Sequence, residues 1–460
     1  MKKGLAAITV AFAVFCLVFQ PISSCFSVNR SSDVFLKYEV VTVFVSELKH
    51  VVQITNPWQT PIRGGMLLVP LVKNQTGRHY AVLCNVSAFG GTFSGPTFLN
   101  YSSGNAYVCW SDVTINPGKA FTVELTYLIL SFSVKYHVDY SRLREYDDRS
   151  ELFRLYTQPE ELVESGSPEI VEAAREVVGS EANPHQKALL IYNFVVNHLR
   201  YEVQKDEMGA LWALKNGVGD CSEYSYLFVA LCRAAGIPAR IQAGFAFHAD
   251  SGTVEDGHMW AEYYLEGYGW IPVDAAWKMF DQIDHRHLSS IQSMPEIPYA
   301  NYLFNQTAGK KPSDRQTVQL KPISVSTFPD GSFAETVLDA VQRVKPVEFG
   351  VFVGKISGAK ILFPSDVEAV ELKVLDSKIH VQRALDSWEK SPLTALKYAS
   401  TALKEADEAL KGVLTVVLKA FILYVGLCLV LAFLILSLTR RGAQIPNSTT
   451  HNNVSDSYLE

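Results

Sequence analysis

Two acidic residues flank a cysteine at the predicted start of a helix, and this pattern fixes where the cysteine lies. Asp220 and Glu223 have the spacing of a capping box, in which each side chain accepts a hydrogen bond from the backbone of the first turn. Apolar residues then recur every three or four positions, and the breaker Gly-Ile-Pro at 236–238 ends the pattern. The sequence therefore predicts a helix over about 221–235, with Cys221 in its first turn.

Strands are predicted after this helix. The run 240–248 is rich in apolar residues and the run 258–265 alternates, so both are typical of strands. A third short strand, 270–273, follows a glycine-containing turn and ends at Asp274. A hairpin of the second and third strands would place Asp274 beside His258, which opens its strand.

The three side chains that meet in this arrangement suit the chemistry of a cysteine nucleophile. A thiol is mostly protonated at neutral pH, and a helix N-terminus together with a nearby imidazolium favours the thiolate. Cys221 is therefore the candidate nucleophile, His258 its proton partner and Asp274 the carboxylate that orients the imidazole. The commoner role of a cysteine is that of a small buried apolar side chain, and we assign that role to Cys232.

Four blocks of sequence contain or adjoin these residues: GVGDCSE at 217–223, CRAAGIPAR at 232–240, HMWAE at 258–262 and GWIPVD at 269–274. In residues and order they resemble the transglutaminase-like superfamily, whose core is papain-related. The resemblance covers about residues 140–290. It implies Cys221 as nucleophile, His258 as general acid and base and Asp274 as the orienting carboxylate. Members of the superfamily include cross-linking enzymes, proteases, amidases and inert proteins, so the fold alone leaves the reaction open.

The group that would hold the reacting oxygen departs from the superfamily pattern. Animal cross-linking enzymes use a tryptophan some thirty-odd residues before the nucleophile, and this chain has no tryptophan at that separation from Cys221. We expect Tyr201, Gln204 or Trp212 to donate a hydrogen bond there, beside the backbone N–H of the nucleophile. Trp260 and Glu262 are assigned to the shell of side chains that supports the site.

One group of acidic and imidazole side chains resembles a metal site in composition: Asp281, Asp284, His285 and His287. It lacks the ligand spacing of a zinc site, so we interpret it as a solvated loop. A thiolate with an imidazole partner needs neither a metal nor an organic cofactor, and we predict neither.

Both ends of the chain carry apolar segments that predict a membrane-anchored protein. Lysines followed by an apolar run and small residues predict a secretory signal peptide over 1–27. Residues 420–438 carry no charge, which predicts one transmembrane helix over 412–439, with Lys419 able to reach the interface. Two arginines follow, so the tail 440–460 is predicted to be cytoplasmic and the catalytic domain extracellular, in a type I orientation in the cell membrane.

The segments between these ends predict three further regions. The region 28–138 is rich in Val, Thr, Phe and Tyr with regularly spaced turns, which predicts an antiparallel β-sandwich domain. A catalytic domain over 139–309 begins with helices at 167–178 and 183–199. The region 310–411 is predicted to be mixed and then helical, as a stalk that leads to the membrane. The fold class is α+β.

Cysteine and asparagine usage in the outer region suits an extracellular protein. Cys84 and Cys109 lie on two strand-like runs, and we predict a disulfide between them. Asn-X-Ser/Thr sequons suited to glycosylation lie at Asn29, Asn74, Asn85, Asn100 and Asn305.

Composition and motifs together give the functional interpretation. The chain is 48% hydrophobic with a net charge of −6 and has no long basic block, which argues against nucleic acid as a partner. We predict a thiol hydrolase, a cysteine protease or amidase, whose partner is a protein or peptide substrate at the cell surface. The alternatives are an acyltransferase of the transglutaminase type, which cross-links surface proteins, and a catalytically silent scaffold or binding protein of the cell envelope.

Overall fold

The computed structural model describes residues 35–101, 104–292, 302–306, 311–356 and 358–442. The predicted signal peptide lies outside the described residues, as does the predicted cytoplasmic tail from 443 onwards. The first part of the described chain is made of long strands: β1 (Tyr38–Thr55), β2 (Ile62–Pro70), β3 (His79–Phe89), β4 (Thr92–Asn100), β5 (Ala106–Ile115) and β6 (Ala120–Tyr136).

Helices and shorter strands follow in the middle of the chain. They are α1 (Glu151–Thr157), α2 (Pro168–Val178), α3 (Pro184–His198), β7 (Arg200–Tyr201), α4 (Ala210–Asn216), β8 (Val218–Gly219), α5 (Cys221–Ala234), β9 (Ala239–Ala246), β10 (Gly252–Val254), β11 (His258–Leu265), β12 (Gly269–Asp274), β13 (Met279–Phe280), β14 (Gln282–Ile283) and β15 (His287–Gln292). The last elements are β16 (Leu303–Asn305), β17 (Ser313–Pro322), α6 (Gly331–Ile356), α7 (Ala359–Leu362), α8 (Pro364–Ser387) and α9 (Pro392–Gly442).

Two antiparallel sheets form the predicted sandwich. One sheet has the order β10-β17-β1-β6-β14, with β3 also paired to β6, and the other has the order β16-β2-β5-β4. Apolar side chains from both sheets form one core, in which Leu48, Trp110 and Phe121 are fully buried. Strands from beyond the predicted domain boundary at 138 complete both sheets: β17 covers the edge of β1 over ten paired positions.

The predicted disulfide between Cys84 and Cys109 is wrong, because both cysteines are free. Cys84 lies on β3, which pairs with β6, whereas Cys109 lies on β5 between β2 and β4 in the other sheet. Cys84 is exposed, and Cys109 is buried against Leu68 and Tyr107. Two strand-like runs in sequence do not reveal which sheet each strand joins, and here the two strands belong to different sheets.

A separate sheet carries the predicted catalytic region, and we refer to it as the catalytic sheet. Its strand order is β13-β12-β11-β9-β15, and all of its pairings are antiparallel. Helix α5 packs on this sheet, where Phe228 meets Tyr263 edge to face with 6.4 Å between ring centroids. The helices predicted at 167–178 and 183–199 are α2 and α3, capped by Ser167 and Asn183.

The region predicted as a stalk contains a helical bundle of α6, α8 and α9 that packs against the sandwich. Gln382 on α8 accepts a hydrogen bond of 2.7 Å from the backbone of Lys37, and Asp386 accepts one of 2.8 Å from the Tyr38 hydroxyl. Helix α9 begins at Pro392 and runs without interruption through the predicted membrane segment. In the described part of the chain it is the one helix long and apolar enough to cross a membrane.

The buried ring of Trp110 gives a direct test of the sandwich core. Trp110→Ala should lower the free energy of unfolding by about 3–5 kcal/mol, because the substitution leaves a cavity between the sheets. Phe98→Ala on the neighbouring strand β4 is the matched control, since the Phe98 ring is 52% exposed. Chemical denaturation of the full chain, followed by circular dichroism, measures both. Equal midpoints for the two variants would contradict this packing.

Candidate active site

The first turn of α5 is built as the capping box predicts. The Asp220 side chain accepts a hydrogen bond of 3.0 Å from the Ser222 N–H, and the Glu223 carboxylate accepts one of 3.0 Å from the Asp220 N–H. These bonds fix Cys221 at the first residue of the helix, half-buried, with the positive end of the helix dipole next to its sulfur. The predicted end of the helix differs from the observed end by one residue.

The hairpin of β11 and β12 brings the predicted imidazole and carboxylate together. Ala261 pairs with Val273, so His258 at the start of β11 lies near Asp274 at the end of β12. The Nε2 atom of His258 lies 2.7 Å from Oδ2 of Asp274. The imidazole also hydrogen-bonds with the thiol of Cys221. The structure therefore assembles the three candidate residues in one cluster.

Asp274 is the most heavily coordinated member of this cluster. Its Oδ2 atom also lies 3.1 Å from Nε2 of His287, and its Oδ1 atom accepts a hydrogen bond of 2.8 Å from the backbone N–H of Trp277. The side chain is fully buried. Burial alone would raise the pKa of Asp274, but the charge and hydrogen bond of His258 and the hydrogen bond of His287 lower it well below its usual range. Asp274 is therefore a permanent carboxylate between two imidazoles.

The role of His287 was not predicted from the sequence. The interpretation of 281–287 as a solvated loop is wrong, because β14 and β15 fold this segment against β6 and β9. His287 is buried, and its Nδ1 atom lies 2.7 Å from Oδ1 of Asp284, which in turn accepts a bond of 2.9 Å from Arg286. Asp281 lies 2.7 Å from His185, away from Asp274. The one sequence signal was the run 287–292, which alternates too weakly to have predicted a strand.

Both imidazoles of the cluster are cationic at neutral pH. Burial lowers the pKa of His258, but the charge of Asp274 and hydrogen bonds with Asp274 and Cys221 raise it to about 9. Burial likewise lowers the pKa of His287, and its hydrogen bonds with Asp274 and Asp284 raise it to about 9. The cluster therefore holds two imidazolium ions and one guanidinium against two carboxylates, and this excess of positive charge lies beside Cys221.

The cluster fits a proton network better than a metal centre. His258, Asp274 and His287 place one ligand atom each within 4.8 Å of one another. A metal would require neutral imidazoles, whereas the interactions with Asp274 raise the pKa of both rings. The charge and the hydrogen bonds therefore favour protons at this position.

Tryptophan rings wall the imidazoles. Trp277 lies with its ring 4.9 Å from that of His258 and stacks on His248 at 4.7 Å. Trp260, assigned to the supporting shell, lies 6.2 Å from His258 and 5.3 Å from His287. These rings pack against the two imidazoles and contribute to their burial.

The predicted oxyanion donors are placed differently from one another. Tyr201 lies near Cys221 and Asp220. Burial of the Tyr201 hydroxyl and its electrostatic interactions with those two residues raise its pKa to about 12, so the phenol keeps its proton at neutral pH. The Gln204 side chain donates instead to the carbonyl of Glu202, at 2.8 Å. Trp212 lies on α4, and among the described contacts none joins Gln204 or Trp212 to the thiol.

Glu262 binds the sandwich to the catalytic sheet. Its buried carboxylate accepts bonds of 2.8 Å from both Arg240 and Gln242 in the sheet, and one of 2.9 Å from Gln75, which lies between β2 and β3. Glu262 lies two residues beyond Trp260 on β11, and its hydrogen bonds join the sheet to the sandwich.

Comparison of the sequence with known families identifies the central segment. Residues 171–275 match the family model described as the transglutaminase-like superfamily, and this range contains Cys221, His258 and Asp274. An uncharacterized protein of Haemophilus influenzae is 36% identical over 124 residues, which covers 22% of this chain and 34% of that protein. The match therefore spans about a third of the length of this curated relative.

Solved structures align with larger parts of the chain. A candidate cysteine protease from Cytophaga hutchinsonii aligns with a TM-score of 0.47 at 18% identity, covering 62% of this chain and 93% of that one. The periplasmic domain of TgpA from Pseudomonas aeruginosa, bound to ethylmercury, aligns with a TM-score of 0.28 at 15% identity, covering 53% of this chain and 96% of that one.

The hydrogen bond from His287 predicts a measurable effect on the thiol. His287→Leu should slow alkylation of Cys221 by iodoacetamide about tenfold at neutral pH, since a bond to a charged group contributes roughly 1.5–3 kcal/mol. Asp274 would lose a donor in a buried site and would no longer hold the His258 ring toward the sulfur. His287→Gln, which keeps a neutral donor, should recover part of the rate. Peptide mass spectrometry measures the labelling at Cys221.

His285→Leu is the matched control, because the His285 ring hydrogen-bonds with Ser133 and Asp250 and not with Asp274. At roughly pH 10 a thiol of ordinary pKa is ionised with or without a neighbouring imidazolium, so the rates of the folded variants should move closer together. Equal rates for His287→Leu and the natural chain at neutral pH would contradict the positioning role.

Proposed function

Because residues 171–275 form a transglutaminase-like domain, we propose that this chain is a thiol hydrolase that cleaves amide bonds in proteins or peptides through an acyl-enzyme on Cys221. The observation that carries the proposal is the buried His258, which hydrogen-bonds with both the Cys221 thiol and the Asp274 carboxylate. This set supplies a nucleophile, a general acid and a fixed anion in hydrogen-bond contact.

In the first half of the reaction the Cys221 thiolate attacks the amide carbonyl and a carbon–sulfur bond forms. The imidazolium of His258 donates its proton to the amide nitrogen as the carbon–nitrogen bond breaks, so a neutral amine leaves. Asp274 keeps its negative charge and holds the ring in place throughout. The products are a thioester on Cys221 and a neutral His258.

In the second half the neutral His258 takes a proton from water while the oxygen attacks the thioester carbonyl. The carbon–sulfur bond breaks, the acid product leaves, and the thiolate and imidazolium are restored. The Cys221 backbone N–H at the start of α5 and the Tyr201 phenol are the donors that we propose for the oxyanion.

Exposure at the nucleophile favours water over an amine as the acceptor. Cys221 is only half-buried, and Tyr201 beside it is 53% exposed, so water reaches the thioester carbonyl. An enzyme that transfers the acyl group to an amine has to keep water from that carbonyl. The open site therefore supports hydrolysis, and amine transfer is the second candidate that the experiment below separates.

The cellular location is part of the same proposal. Helix α9 is long and apolar enough to cross a membrane, and the apolar N-terminal segment has the pattern of a secretory signal. We place the catalytic domain outside the cytoplasm, anchored by this single span, with proteins or peptides at the cell surface as substrates.

The proposal predicts products that depend on Cys221. The full chain in detergent is incubated with a mixed protein substrate and a labelled primary amine, and mass spectrometry then identifies the products. New peptide termini indicate a protease, deamidated glutamines a side-chain amidase, and incorporated amine an acyltransferase. Cys221→Ala should abolish all products, because the acyl-enzyme cannot form.

Cys84→Ala is the matched control, since Cys84 is an exposed free cysteine on the sandwich. Equal product formation by Cys221→Ala and the natural chain, or no product across varied substrates, would contradict the proposal of an enzyme and favour a catalytically silent scaffold.

The activity should persist at neutral pH and fall as the pH rises through about 9, because His258 then loses the proton that it gives to the leaving amine.

A further inference from the structure

Exposed apolar side chains cluster at one end of the helical bundle. Phe349, Phe352 and Val353 lie on one face of α6 at positions i, i+3 and i+4, and their side chains are 68%, 58% and 44% exposed. Ile361 on α7 is 78% exposed. We call this end, the described residues of 349–362, the bundle tip. Exposed apolar patches of this kind mark contacts with proteins or with lipid.

The bundle tip lies at the level where α9 enters its apolar segment. A side chain at Gly350 would approach Val413 of α9 to 2.6 Å, so the two helices are in close contact there. Farther along α9, Nζ of Lys419 forms an ion pair of 2.7 Å with Asp366 at the start of α8. The charge-free stretch 420–438 begins at the next residue. The tip therefore ends where a bilayer around α9 would begin.

An apolar groove connects the tip to the candidate span. It has a volume of about 250 Å³ and is lined by glycine, alanine and valine residues of α6, α7, α8 and α9, together with Phe421 and Tyr424. No charged residue lines it. Because Tyr424 lies within the charge-free stretch, the groove continues into the zone of lipid chains.

The lysines of the tip are held by a carboxylate on α8. Nζ of Lys355 lies 2.6 Å from Glu371, and Nζ of Lys360 lies 3.6 Å from the same side chain. Glu371 lies five residues, about 7 Å of helix, beyond Asp366 on the side away from the apolar segment. The cations are thus drawn toward the aqueous side while the phenylalanines stay exposed, which is the arrangement of an interfacial membrane helix.

We propose that the bundle tip sits in the interfacial layer of the lipid leaflet that α9 enters, and that the groove receives lipid acyl chains. The occupant is lipid because the tip is continuous with the span, so a bilayer around α9 covers the tip without a further partner. Two contacts with the membrane fix the tilt of the bundle. Through the bonds of Gln382 and Asp386 to β1 and the segment before it, they also orient the sandwich.

Photo-crosslinking of the full chain in lipid nanodiscs tests this. A benzophenone amino acid replaces Phe352 in the tip, and in separate variants Gln342 or Phe433. Gln342 is exposed on the same helix, about 15 Å from Phe352 by helix rise, and is the matched control. Phe433 is 72% exposed within the candidate span and reports whether the span itself is in lipid.

Mass spectrometry should find lipid adducts at the Phe352 and Phe433 positions and none at the Gln342 position. A lipid adduct at Phe433 without one at Phe352 would overturn the proposal, because the tip would then lie in water. A crosslink from Phe352 to a second copy of the chain in place of lipid would also overturn it. Absence of a lipid adduct at Phe433 would overturn the proposal as well, because the helix α9 on which it rests would then lie outside the lipid. None of these outcomes bears on the chemistry of Cys221.

Discussion

The candidate active site depends on one buried carboxylate that two imidazoles share. Asp274 can remain charged in the interior because it accepts hydrogen bonds from His258, His287 and the backbone N–H of Trp277. In return, its charge raises the pKa of both imidazoles, so both stay protonated at neutral pH, and an imidazolium beside a thiol favours the thiolate. Removing any donor leaves an uncompensated charge in a dry site, so the cluster behaves as one unit.

The cluster is held by parts of the chain that lie far apart in sequence. His287 reaches Asp274 only because β15 pairs with β9, and the catalytic sheet is fixed to the sandwich through the bonds of Glu262. The sandwich in turn rests on α8 of the helical bundle. A continuous series of contacts therefore joins the site to the helix that we place in the membrane, which would set the height and direction from which a substrate approaches.

The features that were predicted correctly from the sequence are those formed by residues close together in the chain. The capping box that positions Cys221 involves four consecutive residues, and the hairpin that pairs His258 with Asp274 spans sixteen positions. The bond from Gln75 to Glu262 joins residues 187 apart, and no local pattern announces it. The assignment of Cys84 and Cys109 failed for the same reason, because strand propensity does not specify the sheet. His287 was missed because its burial is created by β14 and β15.

Nuclear magnetic resonance of the imidazole nitrogens tests the shared carboxylate most directly. The full chain is labelled with ¹⁵N-histidine, and spectra of His258→Gln and His287→Gln assign the two rings among the 11 histidines. Both rings should carry two protons at neutral pH and lose one as the pH rises through about 9. Neutral rings that titrate at the ordinary value of about 6.5 would contradict a carboxylate held between two cations.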